Sequence, residues 1–524
     1  MRHPGHRIGT GVCPNWVIPL FGMAILAIAG CGDTGKQGPP AGKLQADPHY
    51  LTRSVSEASK QKIEKFCADC HDLPRSSSFP VDAWKHEVER GFEFYDRSGR
   101  TDLELPNLYD TIAYFTQQAP SSEEFTAGVR KIPAKRQLPS AFQRLEFDDD
   151  GQTRWIANVE FYPLAQNQSG QAGWVACDMK NGSVSLYPLE NPSQVRLLAK
   201  AQAPVNSTIS DLDQDGHVDI LVSDIGDYRA SDSQKGKIIW LRSSGTGFEV
   251  SELAAGLGRV CQTSVQDFDQ DGDNDILVAE FGYFTSGSIY LLLNDGKGFS
   301  PGNFIRREID PRHGTVRVQP FDFDGDGDLD FAAAIAQEYE TVEIFVNDGK
   351  ANFQSREVFS AGFPSYGSSG IELVDLDQDG DGDILYSNGD TFDSLVPKDY
   401  HSIQWLENLG NLQFRHHHIA SMPGVHCSRA ADFDGDGDLD IVSVAFMTEK
   451  MEGIEFDSMV YLQNNGNQQF EKLWLEKDTL FYPNVLVGDF NADGQADFAT
   501  GTVAIADEKN DGPPLKVYLN TRDP

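Results

Sequence analysis

Two patterns in the chain bring together side chains that can hold a metal. The first is Cys67-Ala68-Asp69-Cys70-His71, two thiols three positions apart followed at once by an imidazole. This is the spacing of a c-type haem attachment signal. Each thiol can form a thioether with a haem vinyl group, and the next residue presents its ring to the iron from the same side. His71 is then the expected proximal ligand, with Cys67 and Cys70 as the covalent links. On the far side, no methionine lies between Met23 and Met179, so His86 is the best substitute and His49 a weaker one. Two histidines would give a lower potential than His/Met, and an empty position would admit a small ligand. A redox C-x-x-C pair or half a zinc site would use the same thiols. Against both, no second Cys/His pair at zinc spacing and no thioredoxin-like βαβ pattern lies nearby.

The second pattern is D-x-D-x-D-G-x-x-D, which runs from Asp211 to Asp219 and returns with first residues Asp267, Asp322, Asp375, Asp432 and Asp489. Carboxylates at alternating positions of a tight loop converge on one point, and glycine at position 6 permits the sharp turn. An all-oxygen cage of this kind suits a hard cation, calcium better than magnesium. The loop is not an EF-hand: position 12 is Val222, Val278, Ala333, Tyr386, Ser443 and Thr500 in the six copies, never the closing glutamate. Read instead as plain acidic turns, four or five clustered carboxylates without a cation would repel strongly.

The elements that must position these groups differ along the chain. Val55–Phe66, Val81–Tyr95 and Asn107–Gln118 have helical composition, with Trp84, Val88, Leu108, Ile112 and Phe115 as packing residues. Three short helices around one haem resemble the small cytochrome c fold, expected over 51–120 and followed by a linker at 121–137. Farther on, the acidic loops recur at intervals of 56, 55, 53, 57 and 57 residues, the mark of one repeated structural unit. Each loop leads into a β-type run such as Asp275-Ile-Leu-Val-Ala, then a second strand with an Asn-x-Gly tip suited to a tight hairpin. Phenylalanines soon after, at Phe299, Phe353, Phe414 and Phe470, are expected to open the outer strand. An eroded copy, Glu146 to Gly151 with Arg154 in place of the last aspartate, brings the expected number of units from about Leu138 to the C-terminus to seven.

These units resemble FG-GAP/VCBS repeats, as in integrin-like propellers. The expected fold is therefore mainly β, a seven-bladed β-propeller over 138–524 preceded by the small all-α domain. By this resemblance, positions 1, 3, 5 and 9 hold calcium, about six ions in all, with a backbone carbonyl at position 7. The residues are Asp211, Asp213, Asp215 and Asp219; Asp267, Asp269, Asp271 and Asp275; Asp322, Asp324, Asp326 and Asp330; Asp375, Asp377, Asp379 and Asp383; Asp432, Asp434, Asp436 and Asp440; and Asp489, Asn491, Asp493 and Asp497. The eroded copy is expected to bind nothing. The role of the ions is structural, and the apo protein is expected to be looser.

At the start, Arg2 and Arg7 precede an apolar run from Val17 through Ala29, the layout of a signal peptide over 1–30. The run ends in Ile28-Ala29-Gly30-Cys31, which resembles a bacterial lipobox. Cys31 is then the lipidation site, 31–50 a Gly/Pro-rich tether, and an outer-membrane location is implied by analogy with lipoprotein sorting. A net charge of −37 would be repelled by a phosphate backbone, which excludes nucleic acid as a partner. Cys177, Cys261 and Cys427 read as buried small hydrophobes, Trp240 and Trp405 as core, and His416-His417-His418 as a solvated edge with the middle ring turned away from the others. No hydrolase or phosphate-cradling motif stands out, so an electron-transfer or binding protein is favoured over an enzyme. The expected partners are a redox protein, or a protein or glycan at the cell surface if the chain is an adhesive scaffold. A propeller-based oxidoreductase is a weaker alternative.

Overall fold

The computed structural model of the protein describes residues 52–522 apart from 140, 148–152, 164–171, 192–193, 245–246, 393–395, 448–450, 452, 480 and 504–512. The signal-like segment, the tether, Cys31 and His49 lie outside the described residues. Four helices open the described chain. Helix α1 (Glu57–Cys67) begins where the Ser56 side chain accepts from the Ser59 amide. Helix α2 (Trp84–Arg97) follows, and α3 (Leu108–Thr116) begins where Asn107 accepts from the Tyr109 and Asp110 amides. Such caps satisfy amides that have no partner inside the helix. Ile63, Trp84, Val88, Ile112 and Phe115, with Phe79 from the turn before α2, close one core, in which the Trp84 and Phe115 rings stack at 4.3 Å. Burial worth about 1.5–3 kcal/mol per large side chain holds together helices too short to persist alone.

The expected linker at 121–137 is corrected by the structure. It carries α4 (Ser122–Val129), opened by a reciprocal capping box between Ser121 and Glu124. Phe125 and Val129, four positions apart and so on one face, pack against Phe446, Met447, Phe456 and Phe481. The polar run Ser121-Ser122-Glu123-Glu124 masks these two apolar anchors in the sequence. Arg136–Gln137 then lies parallel to the strand Phe470–Lys477.

The rest of the chain forms seven antiparallel sheets arranged as the blades of a ring. The second blade shows the plan: Pro204–Ser210 innermost, then Asp219–Asp224, Gly236–Ser243 and Phe248–Leu257. Second strands such as Asp219–Asp224, Asp275–Glu280, Asp330–Ile335 and Asp440–Ala445 are buried along their whole length. Each is covered on both sheet faces by neighbouring blades, which is why it reads as a continuous β-type run rather than an alternating one.

The last blade is closed by the beginning of the chain. Leu486–Gly488, Asp497–Gly501 and Leu515–Asn520 are completed on the outside by Phe142–Phe147, so neither end of the repeat array leaves a bare sheet edge. Two expectations change in consequence. The eroded copy around 146–154 joins an outer strand to the inner strand Ile156–Tyr162 of the first blade, not an inner strand to a second strand, so it is not a degenerate acidic loop. Its residues 148–152 lie outside the described ones. In the third blade the outer strand starts at Phe304, not Phe299. Phe299 instead packs on Trp240, with ring centroids 5.2 Å apart.

Successive antiparallel strands send their connections alternately to the two ends of the ring. The six acidic loops and the Asn-x-Gly tips occupy one end. The helical cap docks at the other through α2, the turn before it and α4, on connections between second and third strands and between blades. Arg75 donates from Nη2 to the Ala361 carbonyl at 3.2 Å and lies 3.9 Å over the Phe363 ring, Phe94 meets Phe284 edge-on at 4.9 Å, and Lys398 lies over Phe79.

Candidate metal centres

Five of the six acidic loops are built by the same two backbone contacts, and in the fifth Asp432 accepts from the Gly435 and Gly437 amides instead. In the second blade the Asp211 carboxylate accepts from the Asp215 and Gly216 amides at 3.0 and 2.9 Å, and in the third Asp267 accepts from Asp271 and Gly272 at 3.1 and 2.9 Å. Position 1 thus folds the loop over itself. The backbone at position 6 has φ between +85° and +100° in all six loops, from Gly494 to Gly380, which glycine adopts without a Cβ penalty. Position 5 accepts from the position 7 amide, as Asp271 does from Asp273 at 2.9 Å.

Position 9 does more than offer a ligand oxygen. Asp275 accepts from the Asn294 amide at 2.8 Å and the Phe268 amide at 3.1 Å, and Asp330, Asp383 and Asp497 repeat both contacts. It clamps the loop to the end of the third strand. Burial pushes these carboxyls upward, Asp275 to about 7 and Asp219, Asp330, Asp383, Asp440 and Asp497 to about 6.

Three carboxylates converge within 4.8 Å in five loops: Asp211, Asp213 and Asp215; Asp267, Asp269 and Asp271; Asp322, Asp324 and Asp330; Asp375, Asp377 and Asp383; and Asp432, Asp434 and Asp440. In the sixth, Asn491 replaces a carboxylate and its Nδ2 donates to Asp493 at 2.9 Å. The remaining predicted ligands, Asp326, Asp379, Asp436, Asp489 and Asp493, belong to the same six turns. The donor set fits a hard divalent cation. The Oδ1 atoms of Asp213, Asp269 and Asp377, all at position 3, are buried with no hydrogen-bond partner among the described residues. Burial and the neighbouring carboxylates also push Asp269, Asp324 and Asp377 upward. A cluster that resists ionisation and leaves a buried oxygen unmatched is completed by a cation.

Three features of these loops escape a reading of the acidic positions alone. Position 2 is Leu212, Phe268, Phe323, Leu376, Phe433 or Phe490, each buried between blades, and its unbroken Leu/Phe identity is the signal that would have disclosed it. Position 4 is glutamine in three loops, where Gln214, Gln270 and Gln378 donate from Nε2 to the position 6 or 7 backbone or side chain of the next blade, as Gln378 does to the Gly437 carbonyl at 2.7 Å. The first loop alone faces an arginine from its own third strand, with Arg242 Nε 2.6 Å from Asp213 and Nη2 3.0 Å from Asp215. That guanidinium competes with any cation for two of the ligands.

The C-x-x-C-H segment begins on the last residue of α1. Cys67 packs at the edge of the helical core, Cys70 is exposed, and both are unpaired. Burial pushes the Cys67 thiol up to about 12 and the Cys70 thiol upward as well. A redox C-x-x-C pair needs the opposite shift. His71 Nδ1 lies 2.7 Å from the Asp72 carbonyl; with Nδ1–H donated there, Nε2 keeps the lone pair a metal would take. The donor set therefore fits covalent haem. His86 is not brought to this side. Its side chain is 77% exposed and among the described residues meets only Glu87, because it lies about 200° around α2 from both Trp84 and Val88, which face the core. The expectation that His86 is the far ligand is withdrawn on that geometry.

The other expectations for single residues divide by side. Trp240 and Trp405 are core residues at 5% and 6% exposure. His417 stacks on Trp405 at 4.5 Å, while His416 and His418 lie on the opposite strand face and reach Gln404 and Ser421. Cys177, Cys261 and Cys427 are free. Among the described residues no helix is long and apolar enough to cross a membrane.

The FG-GAP-like repeat family matches residues 267–333 and 322–386, which take in the second to fourth acidic loops and the strands between them. No curated protein matches the chain. Among solved structures, the crystal structure of BBS1N in complex with ARL6DN, soaked with mercury, is similar at 9% identity, covering 74% of this chain and 98% of that one with a TM-score of 0.42. The molecule is thus a seven-bladed β-propeller with FG-GAP-like repeats, whose aspartate clusters can bind calcium.

Proposed function

We propose that this protein is an exported, lipid-anchored c-type haem protein, in which a calcium-stabilised propeller docks a partner and the helical cap carries an electron-transferring group. The observation that carries the reading is the C-x-x-C-H segment at the end of a capped helix, with two unpaired thiols and His71 held by Nδ1. Bound there, haem supplies a one-electron couple. The chain's own contribution is to hold His71 in one tautomer and to place Cys70 within electrostatic reach of Glu338 and Tyr339 on the propeller. Lipidation at Cys31, the leader before it and an outer-membrane location belong to the same proposal and rest on the lipobox resemblance alone. The end of the ring bearing the acidic loops is the one the helices leave uncovered, and this favours it as the partner surface. The same feature supports a second reading, a calcium-dependent adhesive scaffold with the helical cap as an accessory.

The test is to mature the full chain in a host competent for c-type cytochrome assembly, then combine a haem stain, a visible spectrum and peptide mass spectrometry. Covalent haem on Cys67 and Cys70 with a reversible redox couple is the expected result. Unmodified thiols at both positions would sink the electron-transfer reading and leave the scaffold.

A further inference from the structure

The inner strands line a half-open cavity of about 500 Å3 on the ring axis, with residues from six of the seven blades. Asn206, Gln262, Arg317 and Asn484 stand five residues before the first aspartate of their respective loops, so they form one layer around the axis. Gln262 accepts from the Val318 amide at 2.9 Å through Oε1. Asn206, 4% exposed, makes no side-chain hydrogen bond with any described residue, nor does Gln319, and both line the cavity.

Arg317 is the anomaly. It lines the cavity beside Arg429, and its guanidinium has neither a hydrogen bond nor an ion pair among the described residues. The carboxylate that acts on it, Glu160, also lines the cavity and accepts from Asn158 Nδ2 at 3.3 Å without pairing with Arg317. Burial pushes the Glu160 carboxyl upward. Five donors in a planar fork are matched by an oxyanion that accepts two of them in parallel. Free amides at Asn206 and Gln319 are matched by hydroxyl groups. A cavity of this volume falls in the range of small-molecule sites.

We propose that the axial cavity binds a small hydroxylated carboxylate, its carboxylate held by Arg317 and its hydroxyls by Asn206 and Gln319. This site stands apart from the acidic loops and from Cys67-Cys70-His71, and does not depend on what those hold.

Calorimetric titration of the calcium-loaded full chain with glucuronate, glucose and inorganic phosphate tests it. Glucuronate is expected to bind one to one, with glucose and phosphate weaker by at least about tenfold, the size of one lost charge-assisted contact. Arg317→Gln should weaken glucuronate by about tenfold or more, and Asn206→Ala by a smaller factor. Should Arg317→Gln fail to fold by circular dichroism, Arg317→Lys keeps the charge but not the fork, and the same loss is expected. Equal affinity for glucose, tighter binding of phosphate, unchanged affinity in Arg317→Lys, or no glucuronate binding at millimolar concentration each overturns the proposal.

Discussion

At the scale of single residues, the acidic loops depend on aspartates with different duties. Position 1 organises the turn and converges with position 3, whereas position 9 ties the loop to the next hairpin. Asp267→Ala removes two backbone acceptor contacts as well as a ligand. It should lower the calcium stoichiometry by one in a titration and cost about 1–3 kcal/mol of stability, leaving the other loops loaded. An unchanged stoichiometry would show that this loop holds no ion. Glu340 offers a pH test away from the loops. It is 3% exposed, accepts from the Gly367 and Ser368 amides at 3.1 and 2.8 Å, and burial pushes it to about 8. An unfolded glutamate titrates near 4.3, so between these values the folded state binds the extra proton. Its stabilising contribution is complete below the unfolded value and is lost as pH rises through about 8. In saturating calcium, the melting temperature of the native chain should fall from pH 5 to pH 9 more steeply than that of Glu340→Gln; parallel curves would count against the assignment.

At the scale of elements, α4 is the joint between the helical cap and the ring. Phe125 is 7% exposed and shares a cluster with Phe446, Met447, Phe456 and Phe481. Phe125→Ala should cost about 3–5 kcal/mol at that contact and expose the segment before residue 136 to limited proteolysis while the propeller core stays resistant. Digestion at the native rate would mean that the cap is held by its other contacts alone, chief among them Arg75 on Phe363 and Phe94 on Phe284. The loop ring has its own joints. Gln214, Gln270 and Gln378 link neighbouring acidic loops, whereas Gly325, Gly435 and Ala492 occupy the same position in the other three and make no such link.

At the scale of the whole molecule, stability rests on closing the ring and on neutralising its acidic end. A chain starting at Thr153 lacks Phe142–Phe147 and leaves Leu515–Asn520 as an open edge. It should form soluble oligomers or aggregates on size-exclusion chromatography, because an unpaired edge templates further pairing. A chain starting at Pro120 keeps both α4 and the closing strand and should remain monodisperse; aggregation of both to the same degree would mean that closure is not the deciding contact. Chelating calcium should lower the melting temperature and speed proteolysis of the full chain, since a ligand that binds the folded state alone stabilises it by RT ln(1 + [L]/Kd) per site. No shift on chelation would show that the clusters are stable without a cation.

Much of this architecture was legible in the residues because the repeat is local. The aspartates, glycine and Asn-x-Gly tips act within one hairpin, and their even phasing predicted six blades, the seventh being counted from a segment that turned out to join two blades; Trp84, Val88, Ile112 and Phe115 likewise foretold the helical core. Whatever depends on segments far apart in the chain was not legible. Closure by Phe142–Phe147, the docking of α4, the outward turn of His86 and the unmatched Arg317 each follow from which surfaces meet in space. The eroded copy shows the difference: its composition imitates an acidic loop, but the strands on either side join two separate blades. Local turn chemistry is written in neighbouring residues, whereas burial, pairing across the ring and the fate of a lone charge are settled only when the blades close.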